Sequence, residues 1–291
     1  MALTIDPLFE SYLREKPALT YESADAGWLT QKMTRGLERL LGRQTMEAHY
    51  YALRERSLSS VEFFQEALKV SRTQLDFDDA PLQRIPANRP VLFIANHPFG
   101  ILDGLVMCNI ALRVCADFRV VINSLLCQDR HIAPHFIPID FAENKDAAKR
   151  NIRAKQLAGQ ALADHIPLIL FPSGMVSTAS GLGFGQVADG PWTTFAAKLV
   201  LAHQPIVVPV FFFGQNSRPF HVASHIAEPL RMAMLMHEAL RRFGEQIPLR
   251  IGEPILPQEY RNFSGRQVLT EYLYSQVQAL AVSDNGGRDV E

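Results

Sequence analysis

The stretch that decides the fold is Val91-Leu92-Phe93-Ile94-Ala95-Asn96-His97-Pro98-Phe99-Gly100-Ile101-Leu102-Asp103-Gly104. Its first five residues are apolar and of types that favour a buried β-strand. A turn-forming Asn-His-Pro-Phe-Gly segment follows and carries an ionisable imidazole at its tip. After Asp103 a second apolar run is typical of a helix. The stretch therefore predicts a strand, a sharp turn and a helix, with His97 held rigidly at the turn.

His97 and Asp103 are a candidate catalytic pair. Imidazole changes charge near neutral pH, and a neighbouring carboxylate fixes its tautomer and stabilises the imidazolium. On one continuous helix the two residues would point about 240° apart, but Pro98 and Gly100 bend the chain so that they can meet across the turn. We interpret His97 as a general base that Asp103 orients. The alternative is a turn histidine and a capping aspartate without chemistry. Because both lie at a turn, we expect their replacement to change thermal stability little.

Composition and charge limit the class of protein. The 291 residues are 47% hydrophobic and 20% charged, which is enough to bury a substantial core in one large domain or two smaller ones. A net charge of −1 gives no overall attraction to nucleic acid, and we expect no nucleic-acid partner. Three cysteines are too few for a disulfide framework, so a reducing compartment is expected. We see neither a secretory signal nor a spanning apolar run and expect a cytoplasmic protein.

Residues 1–80 carry few strand signals and are predicted to be an N-terminal helical segment. Within it, residues 28–43 place apolar side chains largely on one face and lysines and arginines on the rest, with Trp28 at the start. This pattern suits a helix that lies on the inner face of a membrane, and the alternative is a helix packed on its own domain. A capping box at Ser59 predicts a second helix that ends near residue 73. Residues 76–88 are predicted to be a linker.

Strands and helices alternate after residue 90, which predicts an α/β domain over residues 81–257 with a mostly parallel sheet flanked by helices. The predicted strands span residues 91–95, 119–123, 136–140, 168–171, 206–213 and 248–252. The predicted helices span residues 103–115, 144–164, 191–202 and 229–243. Residues 258–291 are predicted to form a C-terminal helix over 265–282 and a disordered tail.

A second candidate site lies where the strand before Pro172-Ser173-Gly174 ends abruptly. Gly174 can adopt a positive φ, and exposed backbone amides in such a turn bind an oxyanion or a phosphate. The alternative is a plain strand-to-loop turn. Lys149 and Arg153 lie four residues apart on the predicted helix 144–164 and are candidate phosphate ligands, although a basic stripe of this kind is usually only solvated.

Other patterns are weaker. The glycine-rich residues 181–186 lack both the third glycine and the following helix of a dinucleotide site, so we interpret them as a flexible loop and a candidate lid over the site. The pairs His131/His135 and His221/His225 have metal-like spacing but no obvious carboxylate or cysteine partners, so we predict no metal. No Gly-x-Ser-x-Gly elbow occurs, which argues against an α/β-hydrolase.

Four of these blocks, in this order, resemble the glycerolipid acyltransferases. The Asn96-His97 to Asp103 segment resembles their Asn-His-(four residues)-Asp motif. Its longer spacing fits a bacterial branch of hemolysin-like and ornithine-lipid-type acyltransferases with Asn-His-Pro-x-Gly-x-x-Asp-Gly. Residues 206–217 resemble the Val-Pro-Val block. Pro172-Ser173-Gly174 stands at the Phe-Pro-Glu-Gly-Thr-Arg-Ser block, with serine for glutamate and without its arginine. Phe136-Ile137-Pro138-Ile139-Asp140 stands where the family has Phe-Ile-x-Arg, so the arginine of that block is also missing.

The resemblance implies transfer of a fatty acyl group from acyl-CoA or acyl carrier protein to a lyso-lipid hydroxyl during membrane lipid synthesis. In this interpretation His97 is the base, Asp103 orients it, and no metal or other cofactor takes part. The implied substrate-binding residues are Asn96, Gly100, Pro172, Ser173, Gly174, Lys149 and Arg153. The departures from the motifs disfavour glycerol-3-phosphate as acceptor and favour a lyso-lipid, including one that contains an amino acid. A catalytically silent lipid-binding scaffold and a thioesterase-like hydrolase are the alternatives.

Overall fold

A computed structural model describes residues 5–19 and 27–282. Its helices are α1 Trp28–Leu40, α2 Arg43–Arg54, α3 Ser60–Val70, α4 Ala80–Gln83, α5 Ile101–Val114, α6 Lys145–Ala163, α7 Ser180–Gly183, α8 Phe195–His203, α9 Arg218–Ile226, α10 Glu228–Arg241, α11 Pro257–Tyr260 and α12 Arg266–Val282. Its strands are β1 Gln74–Asp76, β2 Val91–Ala95, β3 Arg119–Asn123, β4 Phe136–Ile139, β5 Leu168–Leu170, β6 Thr178–Ala179, β7 Val187–Ala188, β8 Ile206–Phe212 and β9 Gln246–Ile251. A 3-10 helix, Pro7–Tyr12, precedes α1.

Seven strands form one sheet in the order β1-β9-β8-β2-β5-β3-β4. The ladders from β8 to β4 are all parallel, β9 is antiparallel to β8, and β1 runs parallel to β9. All five residues of the central strand β2 are buried, as expected for a strand with helices on both faces. The predicted α/β class with a mostly parallel, helix-flanked sheet is therefore confirmed.

Alternate residues of β2 supply the two layers of the core. Phe93 packs with the layer that contains α2, α3 and α5, while Leu92 and Ile94 pack with the layer of α6, α8 and α12. Tyr50 of α2 and Phe64 of α3 are buried in the first of these layers. The helices after residue 43 thus pack on the sheet, and the domain boundary at residue 80 remains a prediction.

Several elements differ from the sequence prediction. β1 lies in the segment predicted to be helical, and α4 lies in the predicted linker; each is too short to give a periodic signal. The predicted strand at 248–252 begins earlier, at Gln246, and α9 was missed entirely. The expected tail at 283–291 lies outside the described residues. Over the described ranges, no helix is both long and apolar enough to cross a bilayer.

The glycine-rich segment 181–186 is a compact hairpin rather than an open loop. β6 and β7 pair antiparallel around α7, and Gly181, Leu182 and Gly183 all have positive φ. Helix α9 holds this hairpin from one side, because Ala179 donates its N–H to Nδ1 of His221 and its carbonyl contacts Nε2 of His225. The side chains of Leu182 and Phe184 remain exposed at its tip.

Gly100 turns the chain from β2 into α5, and a side chain there would be both strained and crowded. Its φ is +79°, and an added Cβ would lie 3.0 Å from Cδ2 of Leu235 and 3.2 Å from Cγ2 of Val176. Positive φ favours glycine, and both neighbours belong to a packed cluster.

Gly100→Ala is therefore expected to lower the free energy of unfolding by about 1–3 kcal/mol, since it combines backbone strain with overpacking. Urea unfolding monitored by circular dichroism measures the change. The matched control is Gly104→Ala in the same helix, where an added Cβ meets no atom within 4 Å. That variant should be neutral or more stable by roughly 0.5–1 kcal/mol. Equal stability of the two variants would contradict the prediction.

Candidate active site

Asn96 fixes the end of the central strand. Its side-chain amide donates to the carbonyl oxygen of Phe212 at 2.9 Å and accepts from the Phe212 N–H at 2.7 Å. Asn96 is buried, so both ends of its amide are used to tie the end of β2 to the end of β8. It therefore positions the next residue, His97, while its contact with a substrate remains a prediction.

The structure brings His97 and Asp103 together. Nδ1 of His97 lies 3.0 Å from Oδ2 of Asp103, and the same oxygen accepts the backbone N–H groups of Phe99 at 2.8 Å and Gly100 at 3.0 Å. Asp103 is fully buried in the first turn of α5. Its carboxylate therefore caps the turn and orients the imidazole at the same time.

Burial raises the pKa of the Asp103 carboxyl above its ordinary value, an effect that its hydrogen bonds with His97, Phe99 and Gly100 oppose. Full burial and three hydrogen bonds argue against the expectation that replacement of Asp103 changes stability little, because a buried polar group that loses its partners costs free energy.

The imidazole of His97 is held on its face as well as on its edge. Its ring stacks on Phe171 with a centroid separation of 3.9 Å and an interplanar angle of 23°. The side chain is 17% exposed, so the ring reaches the surface at one edge only. With Nδ1 directed at a carboxylate acceptor, Nδ1 carries the proton and Nε2 keeps its lone pair. Nε2 is the atom that can accept a proton.

Asp189 is a second carboxylate at this site, and no motif or spacing in the sequence indicates it. Its Oδ1 accepts the backbone N–H of His97 at 3.2 Å and the hydroxyl of Ser177, while its Oδ2 accepts Nε1 of Trp192 at 3.0 Å. Ser177 in turn donates its N–H to the His97 carbonyl at 2.8 Å. The backbone of His97 is therefore clamped on both its N–H and its carbonyl.

The Pro172-Ser173-Gly174 turn follows Phe171, which stacks on His97, but its polar groups already have hydrogen-bond partners. Gly174 has a φ of +69°, as predicted, yet its N–H donates to the Phe171 carbonyl at 2.9 Å. The Ser173 hydroxyl donates to the Met175 carbonyl at 2.8 Å, and the Pro172 carbonyl accepts the N–H of Thr193 at 3.0 Å. The Gly174 amide is thus already donated within the turn, and anion binding by the backbone amides of this turn remains a prediction.

Lys149 and Arg153 lie on α6, which packs on β3, β4, β5, α8 and the first 3-10 helix. Nε of Arg153 is paired with Asp6 at 2.8 Å, and Lys149 is exposed. Among the contacts of the described residues, none joins either side chain to His97. The structure therefore does not bring this basic stripe to the candidate site.

The histidine pairs with metal-like spacing have other partners. His221 and His225 hold the β6–β7 hairpin, His135 pairs through Nε2 with the Ser60 hydroxyl at 2.8 Å, and His131 lies against the ring of Phe63. Over residues 5–19 and 27–282, no group of three or more His, Cys, Asp or Glu side chains is arranged to hold a metal ion.

The fold and the site define an α/β protein whose central parallel strand presents a His–Asp pair at its carboxyl end. A sequence profile of a family described as Acyltransferase matches residues 26–284. Because the match covers most of the chain, the chain belongs to this acyltransferase family.

Two similar proteins and one solved structure agree with that assignment. The lyso-glycine lipid O-acyltransferase of Phocaeicola vulgatus is 33% identical over 183 residues, which are 60% of this chain and 62% of that protein. The lyso-glycine lipid O-acyltransferase of Bacteroides thetaiotaomicron is 27% identical over 182 residues, 60% of this chain and 64% of that protein. The chain thus matches less than two thirds of either relative. The crystal structure of the 1-acyl-sn-glycerophosphate acyltransferase PlsC from Thermotoga maritima shares the fold, with a TM-score of 0.52, 16% identity and 90% and 91% of the two chains covered.

Asp103→Asn is expected to lower the free energy of unfolding by about 1–3 kcal/mol, because the amide removes the buried negative charge to which three N–H groups donate. Chemical unfolding at neutral pH measures the change. Asp164→Asn is the matched control, since this aspartate is exposed at the end of α6. Similar unfolding curves for the two variants would show that Asp103 has no capping role.

Proposed function

We propose that this chain is an O-acyltransferase that moves a fatty acyl group from a thioester, acyl-CoA or acyl carrier protein, to a hydroxyl of a lyso-lipid. The observation that carries the proposal is the His97–Asp103 hydrogen bond of 3.0 Å in a member of the acyltransferase family. A buried carboxylate behind an imidazole whose second nitrogen is free to take a proton is the arrangement that general-base catalysis needs.

In the proposed mechanism Nε2 of His97 removes the proton of the acceptor hydroxyl as its oxygen attacks the thioester carbonyl. Asp103 stabilises the imidazolium that forms and keeps its tautomer. When the tetrahedral intermediate collapses, the carbon–sulfur bond breaks and the imidazolium returns the proton to the leaving thiolate. The products are the acylated lipid and a free thiol. Neither an acyl-enzyme nor a metal is needed for this sequence of steps.

For the acceptor we favour a lyso-lipid built on an amino acid. Both curated relatives carry the name lyso-glycine lipid O-acyltransferase. The glycerolipid acyltransferases use a glutamate and arginines on a polar acceptor, and the corresponding motifs lack them here. The Ser173 hydroxyl, which replaces the glutamate, hydrogen-bonds within its own turn. These features support an acceptor other than glycerol-3-phosphate.

Peripheral binding to a membrane is part of the proposal, since such an acceptor is insoluble in water. Helix α1 packs on α10, yet Trp28 is 69% and Leu40 85% exposed at its two ends. Nζ of Lys32 lies 5.3 Å from the centroid of the Trp28 ring. Exposed apolar side chains beside basic ones favour an anionic lipid surface.

His97→Ala is expected to reduce kcat/KM for acyl transfer to a lyso-glycine lipid by on the order of 10²–10⁴-fold, the usual contribution of a general base. Mass spectrometry of the lipid product measures the rate, and the melting temperature checks the fold. His203→Ala at the end of α8 is the control and should retain activity.

Three results would contradict this assignment. Activity of folded His97→Ala within about threefold of the wild-type rate would exclude a general-base role. Release of free fatty acid without an acylated lipid would identify a thioesterase-like hydrolase. A wild-type protein that binds lyso-lipid and transfers no acyl group to any of a panel of lyso-lipids would identify the scaffold.

The double variant Trp28→Glu/Leu40→Glu is expected to weaken co-sedimentation with anionic phospholipid vesicles at least about tenfold, because two apolar side chains no longer enter the interface. Ile152→Glu on α6 is the control, since this side chain is 61% exposed in the opposite helical layer. Equal binding by the double variant and the control would exclude α1 from the membrane contact. Binding that does not change with salt concentration would exclude an electrostatic contribution.

A further inference from the structure

Arg231 on α10 makes no ion pair with a carboxylate of the described residues, and Glu228 in the same helical turn attracts it only at longer range. Nη2 donates to the Val176 carbonyl at 2.7 Å, Nη1 lies 3.8 Å from the thioether sulfur of Met175, and Nε is buried without a partner. Two arginines at the C-terminal end of α10 do form ion pairs, Arg241 with Glu238 and Arg242 with Glu245. Arg231 is thus held in place by neutral groups alone.

Such an arrangement is costly for the folded chain. Arg231 is half-buried, and a guanidinium partly withdrawn from water needs a counter-charge or a full set of acceptors, whereas a carbonyl and a thioether supply neither. Burial lowers the pKa of the Arg231 side chain and the nearby Glu228 opposes that shift, but a guanidinium stays protonated at any physiological pH. A cation without a contacting carboxylate beside a candidate active site is a common sign of an anionic ligand.

The guanidinium of Arg231 contacts the segment that also binds the backbone of His97. Val176, whose carbonyl accepts from Arg231, is followed directly by Ser177, whose N–H donates to the His97 carbonyl at 2.8 Å. The side chain of Val176 packs in one cluster with Leu235 of α10 and with Ile101, the first residue of α5. Helix α10 and the turn of His97 therefore pack against the same side chains, and both bind the backbone at Val176-Ser177.

We propose that Arg231 binds the carboxylate of the acceptor, a lyso-lipid in which an amino acid is joined to the lipid through its amine. This inference rests on the proposed acyltransferase function and names the group that selects its acceptor. A glycine attached by its amine keeps a free carboxylate, and a planar guanidinium matches two carboxylate oxygens in one plane. Nη1 is the donor best placed for the contact, because its present partner is the weakest of the acceptors around it.

The proposal explains why two cation positions of the glycerolipid acyltransferase motifs can be empty here. An anionic head group must still be met by a positive charge, and Arg153 is paired with Asp6. Arg231 supplies that charge from α10, an element that follows every one of those motifs in the chain. Because α10 is not one of the elements that carry the motif arginines, a cation there would bind a head group that is oriented differently relative to the reacting hydroxyl.

The test compares two acceptors with two proteins. The acceptors are a lyso-glycine lipid and the same lipid with its carboxylate converted to a carboxamide; the proteins are the full-length wild type and Arg231→Met. For the wild type the carboxamide should raise KM at least about tenfold with little change in kcat. For Arg231→Met the KM of the acid should rise by a similar factor, and that of the carboxamide should stay near its wild-type value.

Two variants and one measurement separate recognition from folding. Arg231→Lys should recover part of the preference for the acid, since it restores the charge without the planar fork. Arg241→Met, on the same helix, should keep the wild-type preference. Melting temperatures of all variants identify loss of fold, and the comparison of the two lipids on the wild-type protein needs no substitution at all.

The outcomes distinguish this inference from the proposed function. A wild type that acylates the acid and the carboxamide equally well, or an Arg231→Met protein that loses both to the same extent, would overturn the carboxylate site while acyl transfer stands. A variant that loses lysophosphatidate acylation and keeps lyso-glycine lipid acylation would assign the guanidinium to a phosphate and also overturn it. A wild type that acylates no lyso-lipid would instead remove the proposed function.

Discussion

The buried carboxylate of Asp103 is the constraint on which the site depends. A carboxylate without solvent is tolerated only where donors surround it, and here Oδ2 receives the N–H groups of Phe99 and Gly100 together with Nδ1 of His97. To place those two amides around one oxygen the chain must pass through a positive φ at Gly100. Helix capping and orientation of the histidine, which appear as alternatives in the sequence, are thus two consequences of one interaction.

Contacts other than the one with Asp103 fix the strand end, the ring face and the backbone at His97. Asn96 ties the end of β2 to β8, Phe171 supports the face of the imidazole, and Asp189 and Ser177 fix its backbone. Asn96 adjoins His97, and the other three groups lie between β5 and α8, so contacts from outside its own turn determine the position of the ring. A base held this firmly loses little entropy when an acceptor hydroxyl arrives.

The part of this site that could be predicted is the part that is local in sequence. A strand of five apolar residues, a turn and a helix lie within fourteen positions, and the His97–Asp103 contact follows from the bend between them. Asp189 contacts a residue 92 positions away, and Arg231 reaches a carbonyl 55 positions away, so no periodicity or spacing reveals either. The Gly174 amide shows a different limit: the glycine indicates a positive φ, as the structure has it, but only the closed turn shows which carbonyl accepts the N–H.

Helix α10 links the features that a lipid acceptor would meet. It packs on α1, whose ends expose Trp28 and Leu40, and on α5, whose first turn contains Asp103. Its first turn carries Arg231, which donates to the carbonyl of Val176 beside the Ser177 amide that binds the His97 backbone, and which makes no ion pair with a carboxylate of the described residues. An acceptor whose tail lies in a bilayer at α1 would bring its carboxylate to this first turn of α10 and its hydroxyl to His97. Contacts with the tail and with the carboxylate would then fix where the hydroxyl of the acceptor meets the base.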